Sequence, residues 1–220
     1  MKEGYNIAID GPAGAGKSTI AKRIAEEMGF IYVDTGAMYR AMALYLIRRG
    51  IAPDDTERIS GLCKEADISI EYRGGEQTVL LDGENVNAYL RTEEVGNMAS
   101  RSSAVPAVRE KLVELQQKLA AKADVVMDGR DIGTVVLPDA DVKIYLTATS
   151  AARAKRRYLE LQEKGEQAEL SRIEQDIIER DYRDMHREHS PLRQAEDAVL
   201  VDSSELTIDE VVERIRELCR

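Results

Sequence analysis

The stretch Gly11-Pro12-Ala13-Gly14-Ala15-Gly16-Lys17-Ser18 decides the fold of this 220-residue chain. It matches the pattern G-x-x-x-x-G-K-[ST] at every fixed position, between an apolar strand-like run and an amphipathic helical pattern. Its glycines let backbone N–H groups converge on phosphate oxygens, and the N-terminus of the following helix adds partial positive charge. The stretch therefore predicts a phosphate-binding loop, in which Lys17 reaches the β- and γ-phosphates of a nucleotide and Ser18 ligates Mg²⁺.

Short apolar runs alternate with helical patterns along the rest of the chain. Strands are predicted at residues 5–9, 31–33, 125–127, 142–146 and 198–201. Helices are predicted at 17–28, at about 37–49, and at the end of the chain, where Thr207 and Glu210 form a capping box. Such alternation predicts an α/β fold: a three-layer, doubly wound parallel sheet of about five strands with helices on both faces.

Two stretches depart from this alternation. Residues 68–72 and 78–81 flank Gly74-Gly75 and predict a β-hairpin, which is antiparallel material within a parallel pattern. We therefore expect an inserted subdomain over about 54–99. Between about 161 and 170, a polar string interrupts two basic helical patterns and predicts a second mobile region.

Composition restricts the classes of partner. The 31 lysines and arginines face 41 aspartates and glutamates, and the net charge of -10 argues against general affinity for nucleic acid or anionic membranes. Only two cysteines occur, Cys63 and Cys219, without metal-type spacing, which favours a reducing compartment. No signal-peptide pattern and no apolar run of about 20 residues, the length that spans a bilayer, is present. We therefore expect a globular, cytoplasmic protein.

Two polar clusters directly follow predicted strands. Thr35 and Arg40 come after the second strand, and Asp128, Arg130 and Asp131 come after the third. Because ligands of parallel sheets bind beyond the carboxyl ends of the strands, these residues are expected near one cleft, where Asp128 could hold Mg²⁺ through water. The alternatives are an ordinary surface arginine at Arg40, and a buried carboxylate–arginine pair that only closes the core.

A third cluster lies in the last quarter of the chain. Arg180, Arg183, Asp184 and Arg187 recur at spacings of three, four and seven, which places them on one face of a helix. By itself such a face is usually solvated, and its ion pairs contribute little. Beside a phosphate-binding loop, however, guanidinium groups suit a reaction between two phosphorylated substrates, because they bind phosphate oxygens bidentately and stabilise transition-state charge.

Together these segments resemble the bacterial cytidylate kinases over nearly the whole chain. The segments that carry the resemblance are IAIDGPAGAGKST, DTGAMYR, RTEEVGNMAS, PAVRE, DGRDIGTVVLPDADVKIYLTA and ERDYRDMHREHSPL. The phosphate-binding loop is shared by many families, whereas the combination of DTGAMYR, DGRDIGTVV and RD-x-x-D-x-x-R is far more specific. The resemblance implies transfer of the γ-phosphate of ATP, with Mg²⁺, to CMP and dCMP, by a monomer that has no nucleic-acid or membrane partner.

The resemblance also assigns roles to residues. The implied ATP-binding residues are Gly11, Pro12, Ala13, Gly14, Ala15, Gly16, Lys17, Ser18, Thr19 and two lid arginines, Arg153 and Arg157. The implied acceptor-binding residues are Arg40, Arg130 and Arg187 for the phosphate, Arg180 and Asp184 for the sugar hydroxyls, and Ser100, Arg109, Asp131 and Thr35 for the base. Catalysis is assigned to Lys17, Asp128, Arg130 and Arg187, and the metal to Ser18 and, through water, Asp128. Thr35 stands where the family often has serine, and it keeps the hydroxyl.

The resemblance further implies one P-loop kinase domain over residues 1–220. Its core would comprise about 1–53, 100–152 and 171–220. Its monophosphate-binding insert would span about 54–99, and its helical lid about 153–170. Closure of insert and lid would exclude water, so ATP hydrolysis without an acceptor is expected to be weak.

The chemistry of cytosine suits the residues assigned to the base. Asp131 could accept a hydrogen bond from the exocyclic amine, while Arg109 and Ser100 donate to the N3 and O2 acceptors. Uracil carries a carbonyl in place of the amine and would turn an oxygen toward the Asp131 carboxylate. Discrimination between CMP and UMP is therefore expected.

Two other functions stay open from the residues. One is a different small-acceptor P-loop transferase, such as another nucleoside monophosphate kinase or a tRNA-modifying prenyl transferase. A tRNA enzyme should carry a basic face that binds RNA, and the net charge of -10 argues against such a face. The other is a non-catalytic, nucleotide-switched binding protein, although the base-recognition motif N-K-x-D is absent from the sequence.

Overall fold

Strands and helices alternate through the residues that the computed structural model describes, 4–73 and 76–219. The strands are β1 Asn6–Asp10, β2 Ile31–Asp34, β3 Ile68–Arg73, β4 Glu76–Leu81, β5 Glu84–Asn85, β6 Val125–Gly129, β7 Val142–Thr147 and β8 Val199–Asp202. The helices are α1 Lys17–Met28, α2 Thr35–Arg48, α3 Thr56–Leu62, α4 Glu93–Ser102, α5 Pro106–Ala120, α6 Ser150–Glu163, α7 Leu170–His186 and α8 Ile208–Leu218. A 3₁₀ turn at Asn87–Tyr89 and a π-helical turn at Ile132–Val136 complete the set.

The main sheet consists of five parallel strands in the order β2-β6-β1-β7-β8. Every residue of β1 and β6 is buried, as expected for apolar strands that are covered on both faces. One face packs against α1 and α8, and the other packs against α5 and the π-helical turn. The predicted α/β fold is confirmed, and each predicted strand of this sheet ends within two residues of the observed one.

A second, three-stranded antiparallel sheet lies between α3 and α4 in the chain, with the order β3-β4-β5. The two strands of the predicted hairpin pair as expected, and Gly74-Gly75 lies outside the described residues. This sheet packs on the C-terminal half of α2, where Tyr45 and Leu46 share one apolar cluster with Val79 and Leu81. The insert therefore shares its core with a helix that starts at the edge of the main sheet.

Helix ends follow the expected local chemistry. Gly16 precedes α1 with φ of 87°, and Gly29 follows it with φ of 70°, a left-handed region that favours glycine. At α8, the Thr207 hydroxyl accepts a hydrogen bond from the backbone N–H of Glu210, whose carboxylate accepts from the Thr207 N–H. The predicted limits of α1 and the predicted capping box are both confirmed.

Helices α6 and α7 pack together, with residues 164–169 between them. This break coincides with the polar string noted in the sequence. Across the described ranges, no helix combines the length and the apolar character that crossing a membrane requires.

Candidate active site

A cavity of about 230 Å³ lies beside the phosphate-binding loop, at the carboxyl ends of β2 and β6. Most of the predicted site residues line it: Ala13, Gly14, Lys17, Ser18, Thr35, Arg40, Ser100, Arg109, Asp128, Arg130, Asp131, Arg180, Asp184 and Arg187. The predicted residues outside its lining are Gly11, Pro12, Ala15, Gly16, Thr19, Arg153 and Arg157. The structure thus brings residues from five separate parts of the sequence to one place.

The phosphate-binding loop connects β1 to α1. A Cβ atom on Gly11 would lie 1.9 Å from the carbonyl oxygen of Leu146, so the close approach of these two segments requires glycine. Lys17 is buried, and its Nζ donates a hydrogen bond to the Pro12 carbonyl at 2.7 Å. Burial, together with the neighbouring charge of Arg130, lowers the pKa of the Lys17 ammonium. A bound phosphate would offset both effects, which makes this lysine suited to an anionic ligand.

The Asp128 carboxylate is held at the end of β6 by two hydroxyl groups. Ser18 Oγ donates to Asp128 Oδ2 at 3.0 Å, and the Tyr32 hydroxyl donates to Asp128 Oδ1 at 2.9 Å. Burial, and next the nearby Asp34 carboxylate, raise the pKa of Asp128. A buried carboxylate beside a loop serine is a donor set that Mg²⁺ accepts when substrate phosphates supply further oxygens.

Residues at the start of α2 are tied to both sheets. Thr35 Oγ1 donates to the Asp128 carbonyl at 2.7 Å, and Asp34 Oδ1 caps the helix by accepting from the Ala37 N–H at 2.9 Å. Arg40 Nη2 lies 3.1 Å from Asp34 Oδ2, which orients the guanidinium along the cavity wall. The Asp34 N–H donates to Gln77 Oε1 at 2.8 Å, so a residue of the second sheet fixes this segment.

Two arginines flank the carboxylate of Asp131. Arg109 Nη2 donates to Asp131 Oδ2, and Arg187 Nη2 lies 3.8 Å from Asp131 Oδ1. The Arg109 guanidinium also lies 5.4 Å from the centre of the Tyr39 ring, and its Nη1 donates to the Ser103 carbonyl at 3.3 Å. This corner of the cavity presents a fixed carboxylate acceptor between cationic donors.

A second ion pair joins β6 to α7. Arg130 Nε donates to Asp184 Oδ2 at 2.8 Å. Burial by itself would raise the pKa of Asp184, but Arg130, Arg180 and Arg187 together hold it below its ordinary value. Burial and the charge of Arg130 lower the pKa of Arg180 to about 10, so Arg180 stays cationic at neutral pH. The cavity therefore gathers more positive charge than its own carboxylates neutralise.

Several buried polar atoms around the cavity have no hydrogen-bond partner within the described part of the chain. They are Arg40 Nε, Ser100 Oγ, Arg109 Nε, Arg180 Nε and Arg187 Nη2. Buried polar groups in folded proteins are nearly always paired. Four of these five atoms are donors only, so the acceptor oxygens of a phosphorylated ligand would satisfy them.

The two predicted lid arginines lie outside the cavity. Arg153 is buried behind the phosphate-binding loop, where Nη1 donates to the Ala13 carbonyl at 3.0 Å and pairs with Asp181 Oδ2 at 2.6 Å. Arg157 is half exposed, and its Nη1 donates to Glu160 Oε2 at 3.2 Å. In this structure Arg153 supports the backbone of the loop, and a direct ATP contact of either arginine stays a prediction.

Sequence reasoning missed several residues that shape the site. Tyr39 and Asp34 lie within the DTGAMYR segment, so the sequence could have predicted that they lie near Arg40. Tyr32 and Gln77 form hydrogen bonds with residues that are 96 and 43 positions away in the sequence, and no local sequence pattern predicts such contacts. Asp10, at the end of β1, is a further buried carboxylate that the motif analysis passed over.

Known proteins with similar sequences point to one family. The family model described as cytidylate kinase matches residues 7–220 of the chain. A curated cytidylate kinase from Caldicellulosiruptor saccharolyticus is 53% identical over 213 residues, covering 97% of this chain and 94% of the relative. Another, from Lactobacillus johnsonii, is 52% identical over 221 residues, covering 99% and 96%.

Solved structures support the fold. A gluconokinase from Sinorhizobium meliloti superimposes with a TM-score of 0.51 at 15% identity, covering 100% of this chain and 94% of that one, and this likeness concerns the fold alone. The match to the family model and the identity to curated relatives, both over nearly the whole length, concern more than the fold. On these grounds the chain belongs to the cytidylate kinase family.

Proposed function

We propose that this protein transfers the γ-phosphate of ATP to CMP, and also to dCMP, giving ADP and CDP or dCDP. One observation carries the proposal: a phosphate-binding loop and the Asp131 carboxylate, flanked by Arg109 and Arg187, open into the same cavity. The loop supplies the donor side. The flanked carboxylate supplies an acceptor for the amine that distinguishes cytosine from uracil.

On the donor side, the loop N–H groups and Lys17 bind the ATP phosphates. Lys17 is buried, and its ammonium donates a hydrogen bond to the Pro12 carbonyl. Contact with a phosphate would replace this neutral carbonyl oxygen with a charged acceptor oxygen. Arg153 holds the loop from behind through the Ala13 carbonyl. This arrangement keeps the loop in shape before the nucleotide arrives.

Mg²⁺ suits the residues at the edge of the loop. Ser18 Oγ and Asp128 Oδ2, 3.0 Å apart, would hold it, Ser18 directly and Asp128 through water. When bound with ATP, the ion would neutralise negative charge on the phosphates during transfer. The hydrogen bond from the Tyr32 hydroxyl keeps the Asp128 carboxylate oriented toward Ser18.

On the acceptor side, three arginines hold the CMP phosphate. Arg40, Arg130 and Arg187 all line the cavity, and Arg40 Nε and Arg187 Nη2 have no hydrogen-bond partner among the described residues. Arg180 and Asp184 bind the sugar hydroxyls. Because the acceptor phosphate is already anionic, transfer needs alignment and charge stabilisation rather than a strong base.

The base lies against Asp131, Arg109 and Ser100, with Thr35 beside them. Asp131 accepts from the cytosine amine, and Arg109 and Ser100 donate to the ring acceptors. The Ser100 hydroxyl, buried and unpartnered among the described residues, is available for such a contact.

A release assay for ADP tests the proposal directly. Purified protein with ATP and Mg²⁺ should release ADP slowly alone and rapidly after CMP is added, with CDP formed in equal amount. Rapid hydrolysis of ATP that does not depend on CMP, or no turnover in either case, would contradict the proposed function.

A further inference from the structure

A buried carboxylate joins the phosphate-binding loop to the corner that contains Asp131. Asp10 is the last residue of β1, directly before Gly11, and its side chain is almost fully buried. Its Oδ1 accepts a hydrogen bond from the Ile132 N–H at 2.8 Å, and its Oδ2 accepts one from the Gly133 N–H at 2.7 Å. Both oxygens of one carboxylate are thus used to hold two consecutive backbone groups.

These two N–H groups open the π-helical turn Ile132–Val136. The first N–H groups of a helical turn have no partner within the turn, so another part of the chain must satisfy them when they are buried. The Asp131 carbonyl accepts from the N–H groups of Val135 at 2.9 Å and Val136 at 3.2 Å. Asp131 is therefore anchored on its C-terminal side by a turn that Asp10 holds in place.

The backbone of this turn packs closely against two neighbouring side chains. A Cβ atom on Gly133 would lie 3.2 Å from Lys143 Cδ and 3.5 Å from Asp10 Oδ2. The backbone at this position therefore sits close against the Asp10 carboxylate and the Lys143 stem. A shift of the Asp10 side chain would disturb the two hydrogen bonds that hold the turn.

Keeping a carboxylate at this position is costly for the fold. Burial is the largest influence on Asp10 and raises its pKa to about 7, although the two N–H groups and the charge of Lys17 act in the opposite direction. A neutral side chain could satisfy one N–H group at lower cost. Holding both N–H groups at once requires two acceptor oxygens, which the aspartate carboxylate provides.

We propose that Asp10 is a positioning residue for Asp131. By holding the N–H groups of Ile132 and Gly133, it keeps the Asp131 carboxylate between Arg109 and Arg187, and so sets the preference for a cytosine-bearing over a uracil-bearing monophosphate. The inference rests on the proposed function and extends it from the residues that touch the base to one that does not.

The test compares Asp10→Asn with the unchanged protein. The asparagine keeps the shape but offers one acceptor oxygen, so one N–H loses its partner and the turn loosens. We expect the ratio of kcat/KM for CMP to kcat/KM for UMP to fall about 10-fold, the scale of one lost charge-assisted hydrogen bond. The KM for ATP should change far less than the KM for CMP.

A matched control comes from the other end of the same strand. Asp141 Oδ2 accepts a hydrogen bond from the Asn6 N–H at 2.7 Å, remote from the cavity lining. Asp141→Asn makes the same exchange of a carboxylate for an amide beside a backbone N–H of β1, and the ratio of kcat/KM for CMP to that for UMP should stay unchanged. An equal loss of selectivity in both variants would overturn the proposal, because it would trace the effect to β1 as a whole.

A double-mutant cycle separates positioning from other routes. In the Asp131→Ala background, adding Asp10→Asn should leave the CMP to UMP ratio where Asp131→Ala alone puts it. If Asp10→Asn does not fold, Gly133→Ala adds a methyl group between this turn, Lys143 and Asp10, and it should lower the ratio in the same direction. An unchanged ratio in the Asp10 and Gly133 variants, measured while the unchanged protein turns over CMP, would overturn the inference. Absence of CMP turnover in the unchanged protein would instead refute the proposed function.

Discussion

Arg109 donates a hydrogen bond to Asp131 in an ion pair whose side chains are each only 5% exposed. Such a pair cannot be broken cheaply, since removing one partner leaves a buried charge behind. The pair therefore persists when the cavity is filled, and a ligand must meet the carboxylate as it is already oriented. Under the proposed function, this fixed orientation would let the site distinguish an amine from an oxygen on a base.

The first prediction concerns that carboxylate. Asp131→Ala should lower the ratio of kcat/KM for CMP to that for UMP by at least about 10-fold, because uracil no longer faces a carboxylate oxygen and cytosine loses its acceptor. ATP binding should change less than the selectivity does. Steady-state kinetics with both acceptors check this, and equal specificity constants for CMP and UMP in the unchanged protein would contradict it.

A control for that variant removes another carboxylate from a buried cation. Asp197 pairs with the buried Lys143 at 2.7 Å, outside the cavity lining. Asp197→Ala should lower the free energy of unfolding without changing the ratio of CMP to UMP. A selectivity change of similar size in this control would mean that general destabilisation, rather than base recognition, causes the effect.

The second prediction concerns Lys17. Lys17→Ala should weaken ATP binding and lower kcat about 100-fold or more, since a charged donor to the transferring phosphate is lost. Lys22→Ala, in the same helix but on an exposed lysine that pairs with Glu76 at 3.1 Å, should leave both quantities nearly unchanged. Calorimetric titration with ATP and turnover assays measure the two effects. Unaltered affinity and activity in the Lys17 variant would remove its assigned role.

The third prediction concerns the excess positive charge of the cavity. Burial and Arg130 lower the pKa of Arg180, so the folded protein holds this charge at a cost at neutral pH. Arg180→Met should therefore raise the free energy of unfolding of the free protein, by on the order of 1 kcal/mol, while it raises the KM for CMP. Urea denaturation without nucleotide, together with kinetics, tests both halves. A variant that is less stable than the unchanged protein would contradict the charge argument.

The fourth prediction concerns pH. The pKa of Asp184 lies below its ordinary value of 3.8, despite burial, because of Arg130 and its neighbours. The stability from ionised Asp184 is therefore fully present above that ordinary value and is lost as the pH falls through the lower folded value. In Arg130→Met the largest opposing charge is lost, so burial should raise the pKa of Asp184. The carboxylate should then bind a proton at higher pH.

The free energy of unfolding of Arg130→Met should be about 3 kcal/mol lower than that of the unchanged protein at pH 7. The difference should shrink toward pH 4, where protonation relieves the unpaired carboxylate of the variant. Urea titrations at pH 7, 5 and 4 give the values. A difference that stays constant over this range would show that Asp184 does not carry the effect.

Local patterns were sufficient for most of the fold. The phosphate-binding loop before α1, the Thr207–Glu210 capping box and the short apolar strands are short-range signals, and the structure follows them closely. The π-helical turn at Ile132–Val136 was not predicted, because its geometry depends on Asp10, more than 120 residues earlier in the chain. Hydrogen bonds over such distances leave no periodicity in the sequence.

The same contrast between local sequence signals and long-range contacts holds for the site residues. Lys17, Ser18 and Thr35 are placed by the strand that precedes each of them, and the sequence pattern put them near the cavity. Arg157 lies on α6, where it is half exposed and donates to Glu160, and its predicted contact with ATP stays a prediction. Which face of a helix meets a neighbour depends on packing between elements, and the charge pattern of a basic helix does not decide it.

An acceptor screen tests the central claim most directly. ADP release is measured with Mg²⁺ and ATP and, in turn, CMP, dCMP, UMP, AMP, GMP and dTMP at equal concentrations. We expect rapid turnover with CMP and dCMP, and much slower turnover with the other four. Preferred turnover of a different monophosphate, or equal turnover of CMP and UMP, would contradict the assignment of Asp131 and Arg109 to cytosine.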